Sequence, residues 1–310
     1  MDSINEAQPG LCRFRPDVPV RDPDLAAVEA TVRKAIDRRR SDELVLLGNG
    51  EFSLALQYGT GDDAIVIKRV PPFKNQELAD EYIAVVDRYI ADLVRNDVKC
   101  VATRQLTHRR RNGSVIVYHC QPLLDVDRLA DRVLGVAEPS PDHPVIQAVL
   151  DAVVAVVEGG GTIDGQIANW YWWEDRLWQL DFSTPIYLND KGHMAFPTSA
   201  FTREYPFLMR PIVVREMEKL VPPYFEVPHN VTEIMTHLIR AGLEQWCPAM
   251  HEAAARRGIH TSIDQARKAF DEQAKFYPAL LRMKRMQRGW IEFTRRKYDV
   301  MLPAVTSYGR

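Results

Sequence analysis

Two aspartates, an asparagine and a lysine stand at intervals that suit phosphoryl transfer. Asp164 and Asn169 form D-x-x-x-x-N in the stretch TIDGQIAN, and Asp181 follows twelve positions later in LWQLDFS. An aspartate can orient an attacking hydroxyl and take its proton. An asparagine carbonyl and a second carboxylate are hard oxygen donors suited to magnesium, whose charge would offset that of the phosphates. Lys68, in AIVIKRV, alternates in direction with its neighbours on a strand and can project into a cleft. Above that cleft would lie Gly48-Asn49-Gly50-Glu51-Phe52-Ser53, where glycines let backbone N–H groups approach phosphate oxygens. Glu81 could pair with Lys68 and hold it extended, and Glu77, one turn earlier, is the rival partner. Taken singly, these residues have plainer readings as a hairpin turn, a solvated strand lysine and a surface glutamate. The ordered set is what is uncommon.

The elements around these residues change character along the chain. Residues 1–24 are rich in proline and charge and read as an arm laid over the surface, followed by a helix over 25–40 with Leu25, Val28, Val32 and Ile36 on one face. ELVLLGNG, SLALQYG, DAIVIKRV, ATRQLTHR and SVIVYHCQPLL read as five short strands separated by turn residues. A helix over 76–95, with Leu78, Tyr82, Val85, Val86, Tyr89 and Leu93 apolar, interrupts them after the third. The result is a small antiparallel sheet with one helix. After Leu124 the pattern becomes mostly helical. A helix over 142–158, opened by Asp142 and Pro144, precedes Gly159-Gly160-Gly161, and a second β patch over 167–188 carries four of the six tryptophans. Asn230-x-x-Glu233 and Ser262-x-x-Gln265 read as capping boxes of later helices. The organisation expected is an arm and short helix over 1–40, a β-rich part over 41–122 and an α-rich part over 123–310, an α+β fold.

Composition narrows the alternatives. Forty basic against forty-two acidic residues give 310 residues a net charge of −2, which argues against a dedicated nucleic-acid binder. Cys12, Cys100, Cys120 and Cys247 are too far apart for a zinc site or a disulfide framework, and the start of the chain lacks the features of a signal peptide. No apolar run reaches the roughly 18 residues that a membrane helix needs. A cytoplasmic protein without a membrane partner is the expectation.

In the order of GNGEFS, the lysine of AIVIK, Asp164, Asn169 and Asp181-Phe182-Ser183, the chain resembles the protein-kinase-like superfamily, and within it the aminoglycoside and small-molecule phosphotransferases. The resemblance covers about 44–190. It implies a two-lobed fold with ATP and magnesium in the cleft and the adenine on a hinge near Gln121–Leu124. Gly48, Asn49, Gly50, Ser53, Val66, Lys68, Glu81 and Gln121 would surround the nucleotide, Asn169 and Asp181 would hold magnesium, and Asp164 would be the catalytic aspartate. The acceptor implied is a hydroxyl of a small molecule or peptide. Four features depart from the pattern: Ser53 replaces a loop glycine, Ser183 replaces the glycine of D-F-G, no A-P-E segment follows Asp181, and Thr162-Ile163 replace the usual histidine or arginine before the aspartate. The last departure keeps open a second reading, an inactive kinase-like module that binds a partner. Residues 282–297 carry seven cations and one acid, Glu292, and form a basic helix that is either a solvated face or a seat for an acidic partner. His108-Arg109-Arg110-Arg111 reads as a solvated hairpin tip, and Trp170–Trp178 as a core hairpin beneath the nucleotide.

Overall fold

The computed structural model of the protein describes residues 14–49, 53–294 and 298–301; Cys12, Gly50, Glu51, Phe52 and the cations at 295–297 lie outside them. Helix α1 (Leu25–Arg38) starts where the Asp24 carboxylate accepts from the Ala26 and Ala27 N–H groups, and ends at Arg39 with φ of 55°. Strands β1 (Val45–Asn49), β2 (Leu54–Tyr58) and β3 (Ile65–Arg69) follow, then α2 (Gln76–Arg95), β4 (Lys99–Cys100), β5 (Arg104–Arg109) and β6 (Val115–Pro122). Five of the strands form one antiparallel sheet in the order β1-β2-β3-β6-β5. Strand alternation sends Ile65, Ile67, Ile116, Tyr118 and Cys120 to one face, where they pack against Val28, Val32 and Ile36 of α1. Val115, Val117 and their neighbours on the other face pack against the Ala79, Tyr82, Val86, Tyr89 and Leu93 stripe of α2. The sheet is therefore covered by a helix on each side.

The second part is mainly helical: α3 (Ala130–Val136), α4 (Pro144–Glu158), the hairpin β7 (Trp170–Trp173) and β8 (Arg176–Gln179), then α5 (Arg210–Leu220), α6 (Val227–Arg240), α7 (Cys247–Ala255) and α8 (Ile263–Phe293). The molecule is thus an α+β protein, with an N-terminal five-stranded antiparallel sheet followed by a mainly helical part. β4 joins β8 in parallel and the Val101 N–H donates to the Gln179 carbonyl, which fastens the end of α2 to the hairpin. The arm contributes too: the Pro16 carbonyl accepts from the Ala102 N–H at 2.7 Å, and the Phe14 carbonyl from the Tyr171 hydroxyl at 3.1 Å.

Several local expectations are corrected. The second β patch stops at Gln179, and from Leu180 the chain leaves the hairpin to reach the sheet. His143, not Asp142, caps α4, its Nδ1 accepting from Val145; Asp142 pairs instead with Arg256. Asn230 does not open a helix, because α6 begins at Val227 with proline in its first turn. The buried Asn230 amide donates to the Tyr224 and Glu226 carbonyls. Ser262 does cap α8, accepting from Gln265.

The tip of β5–β6 is solvated at Arg109, Arg111 and Asn112 but not at Arg110. Arg110 reaches back to the Glu29 carboxylate at 3.0 Å and to Asp299 at 2.7 Å. Arg69 donates to both Glu29 oxygens, and the Tyr118 hydroxyl donates to Glu29 at 2.6 Å. Burial alone would push the Glu29 carboxyl up, but Arg69 and Arg110 outweigh it and bring the pKa to about 2. Nor is the basic helix 282–297 an open charged face throughout: Lys284 is buried against Glu204 at 3.1 Å. Arg288 binds Glu292 and the Ile36 carbonyl, both at 2.7 Å. Long side chains from one end of the chain thus close over α1 at the other.

Candidate functional site

Lys68 faces away from α1, between Ala55 of β2 and His119 of β6 in the sheet register. Its ammonium donates to the Leu180 carbonyl at 2.7 Å and lies 3.5 Å from Asp181 Oδ1. The Lys68 side chain is 8% exposed and that of Asp181 31%, so the lysine is buried and the carboxylate is partly open to solvent. Asp181 Oδ1 also accepts from the Ser183 N–H at 3.0 Å and hydroxyl at 2.8 Å, which fixes the carboxylate in a tight turn. Burial raises the Asp181 pKa, yet Lys68 and the two Ser183 hydrogen bonds prevail and hold it below the ordinary carboxylate value. Gln121 is committed inward, with Nε2 donating to Thr103 Oγ1 at 2.8 Å and to the same Leu180 carbonyl at 2.9 Å.

Asp164 follows α4 and is itself followed by Gly165, which is closely packed between α4 and α6. A Cβ on Gly165 would meet Ile234 of α6 at 3.1 Å and Val153 of α4 at 3.4 Å. The Asp164 backbone is held at both groups: its N–H donates to the Tyr89 hydroxyl at 3.1 Å, and its carbonyl accepts from Gln179 Nε2 at 3.1 Å. Its carboxylate accepts from the Gln166 N–H at 3.2 Å and from Gln166 Nε2 at 3.1 Å. Burial, and then the negative charge of Asp181, lift the Asp164 pKa to about 6. Asn169 ends a short 3-10 turn, and its carbonyl accepts from the Leu180 N–H at 2.9 Å, placing the loop that bears Asn169 beside the one that bears Asp181. Trp170 lies under both, with its indole N–H donating to the Gly165 carbonyl.

Lys68, Asp164, Asn169 and Asp181 are thus brought to one region, but the two candidate lysine partners are not. Glu77 and Glu81 are exposed, and Lys68 turns to Asp181 and Leu180. The reason lies in the phase of α2: its buried stripe runs through Ala79 and Tyr82, so Glu81, about 100° around the axis from Tyr82, points out. Tyr82 takes the inward place. Its hydroxyl donates to the Ser183 carbonyl at 2.8 Å and lies 2.9 Å from His119 Nε2. A hydroxyl has one proton to give, so His119 must be the donor to it and carries its proton on Nε2. Burial first, and Lys68 second, push the His119 pKa down to about 4, which keeps the ring neutral. α2 is therefore joined to the Asp181 turn through the Tyr82 hydroxyl and to β6 through the neutral Tyr82–His119 contact, in place of an ion pair.

At the glycine segment, a Cβ on Gly48 would meet only the Ala55 Cβ at 3.8 Å, an ordinary contact. Val66 and Ser53 are half-buried, Asn49 ends β1, and Gly50 lies outside the described residues. The hard oxygen donors at Asn169 and Asp181 suit magnesium. The described residues contain no group of three His, Cys, Asp or Glu side chains able to hold a metal, so water and phosphate oxygens would have to complete its coordination.

Sequence reasoning missed the face that α6 turns toward Asp164. Burial and then Asp164 raise the Glu233 pKa. His237, 3.9 Å from Glu233, is held down to about 3 by burial and then by Arg240. Positions 233, 237 and 240 share one helical face at spacings of four and three, and this spacing is the signal that could have found them. Reading Glu233 as a cap residue hid it.

The chain belongs to the family DUF6206, a family of unknown function whose match covers residues 27–293. Comparison with curated proteins finds no match. Among the described residues no helix is long and apolar enough to cross a membrane.

Proposed function

We propose that this protein is an ATP- and magnesium-dependent phosphotransferase that delivers the γ-phosphoryl group to a hydroxyl of a small molecule or peptide. The observation that carries the reading is the meeting of Lys68, Asp164 and Asp181, from β3 and two separate loops, in one region. Lys68 lies 3.5 Å from Asp181, and the Asp181 charge helps raise Asp164 to about 6. Lys68 would bind phosphate oxygens. Asp164, ionised at neutral pH yet close enough to it to accept a proton, would orient and deprotonate the acceptor hydroxyl. Asn169 and Asp181 would hold magnesium, which would neutralise charge on the phosphates. Glu233, His237 and Arg240 of α6 would line the acceptor side, since they act electrostatically on Asp164 or on one another.

A second reading, a kinase-like module that binds a partner without turnover, is favoured by one feature: no carboxylate from α2 reaches Lys68. Titration of Mg·ATP separates the two readings from an unrelated function, and phosphate transfer separates them from each other. On the first reading Lys68→Ala lowers turnover by orders of magnitude and leaves the circular dichroism spectrum unchanged. Wild-type turnover in the folded variant would overturn it.

A further inference from the structure

Helix α8 packs through Leu281 and Lys284 and is tied at its far end by Arg288 and by Glu292, which binds Arg39 at 2.5 Å. The opposite side of the helix carries an apolar stripe. Phe276, Ala279, Met283, Met286, Trp290 and Phe293 follow one another at intervals of three and four, the spacing of a helix seam made for another helix. Phe276, Met286, Trp290 and Phe293 are 64, 71, 62 and 79% exposed, Ala279 is exposed and Met283 is half-buried. The seam is about 26 Å long at 1.5 Å per residue, and the packed side of the helix holds it in place.

The spacing of side chains along the seam is symmetric about its centre. Turned end for end, Met283 meets Met286, the small Ala279 meets the large Trp290, and Phe276 meets Phe293. Large-against-small pairing at Ala279–Trp290, with methionine pairs at the centre, is the complementarity a two-fold axis requires, because both partners present the same patch. The size also fits. With aromatic side chains of roughly 200 Å² each, these exposures leave on the order of 500 Å² of apolar surface per copy, and so about 1,000 Å² for a pair, the lower bound of a specific interface.

We propose that α8 is a dimerisation helix that pairs antiparallel with α8 of a second copy, with the axis between Met283 and Met286. The exposed cation Arg282 borders the seam close to the axis, so it approaches its own counterpart when two copies meet. Salt therefore strengthens the pair, whereas it would weaken the binding of an acidic partner to the same helix. This inference does not depend on the proposed phosphotransferase activity.

Sedimentation of the full chain tests it. The expected species has twice the 35.5 kDa mass of one chain at micromolar concentration, with an association constant that rises between low and moderate salt. Met286→Glu and Ala279→Trp each shift it to monomer, the second by filling the notch that receives Trp290, with circular dichroism unchanged. Mixing Ala279→Cys chains with Trp290→Cys chains and oxidising them gives the mixed cross-linked dimer in excess over either like pair. A monomeric wild type, a dimer indifferent to both substitutions, a pair that salt dissociates, or preferential cross-linking of like chains would each overturn the proposal.

Discussion

Asp164 carries a stability cost that a single substitution should expose. Its carboxyl, near 3.8 when unperturbed, is raised to about 6 by burial and by Asp181. A carboxyl whose pKa is higher folded than unfolded favours folding at low pH, and that advantage is lost as pH rises through about 6. Two pKa units correspond to about 3 kcal/mol of destabilisation at pH 8, at roughly 1.4 kcal/mol per unit. Asp164→Asn removes the charge and keeps an oxygen for the Gln166 N–H, while the Gln166 side chain loses its acceptor. That loss offsets part of the gain by an amount that does not vary with pH. The telling quantity is therefore the change in the wild-type–variant gap with pH. Urea unfolding at pH 8 and pH 4.5 should show the variant's relative stability falling by about 2 kcal/mol at the lower pH, where folded Asp164 is protonated. A gap that stays constant, or that moves in the variant's favour as the pH falls, would refute both the burial and the Asp181 coupling on which the reasoning rests. Asp181→Asn should behave with the opposite sign. Its carboxyl is held below the ordinary value by Lys68 and Ser183, so the loss on substitution is full at pH 8 and shrinks as the wild type protonates below about pH 4.

Two further outcomes follow from the packing. Glu81→Ala should change stability by less than about 0.5 kcal/mol, whereas Tyr82→Phe, which strips a buried hydroxyl from His119 and the Ser183 carbonyl, should cost about 1–3 kcal/mol in denaturant unfolding. Glu29→Gln should cost about 3–5 kcal/mol by thermal unfolding, because Arg69 and Arg110 lose the carboxylate they share. An unchanged melting temperature would show that Asp299 alone compensates both guanidinium groups.

Much of the scaffold was legible because it rests on local periodicity. The alternation in DAIVIKRV places Lys68 and Ile67 on opposite faces, and the spacing of Tyr82, Val86 and Tyr89 gives α2 its bounds. The D-x-x-x-x-N and LWQLDFS segments were legible as chemistry, and the β7–β8 hairpin between them explains why they meet. What escaped was the consequence of helical phase, and long-range pairing. Tyr82 already stood on the apolar stripe of α2, and that phase turns Glu81, its neighbour, away from the sheet and from Lys68. The partner of Arg110 is Glu29 on one side and Asp299 on the other, separations that no local pattern encodes. In α8 the cations drew attention, while the stripe of Phe276, Met286 and Trp290 becomes informative only once the other side of the helix is known to be packed.

Calorimetric titration of Mg·ATP into the wild type and into Asp181→Asn, with circular dichroism to confirm folding, tests the central claim most directly. Micromolar-range binding to the wild type and a sharp loss of affinity in the folded variant are expected, because the carboxylate beside Lys68 would hold the magnesium that neutralises the phosphates. Absence of binding to the wild type, or equal affinity in both proteins, would contradict it.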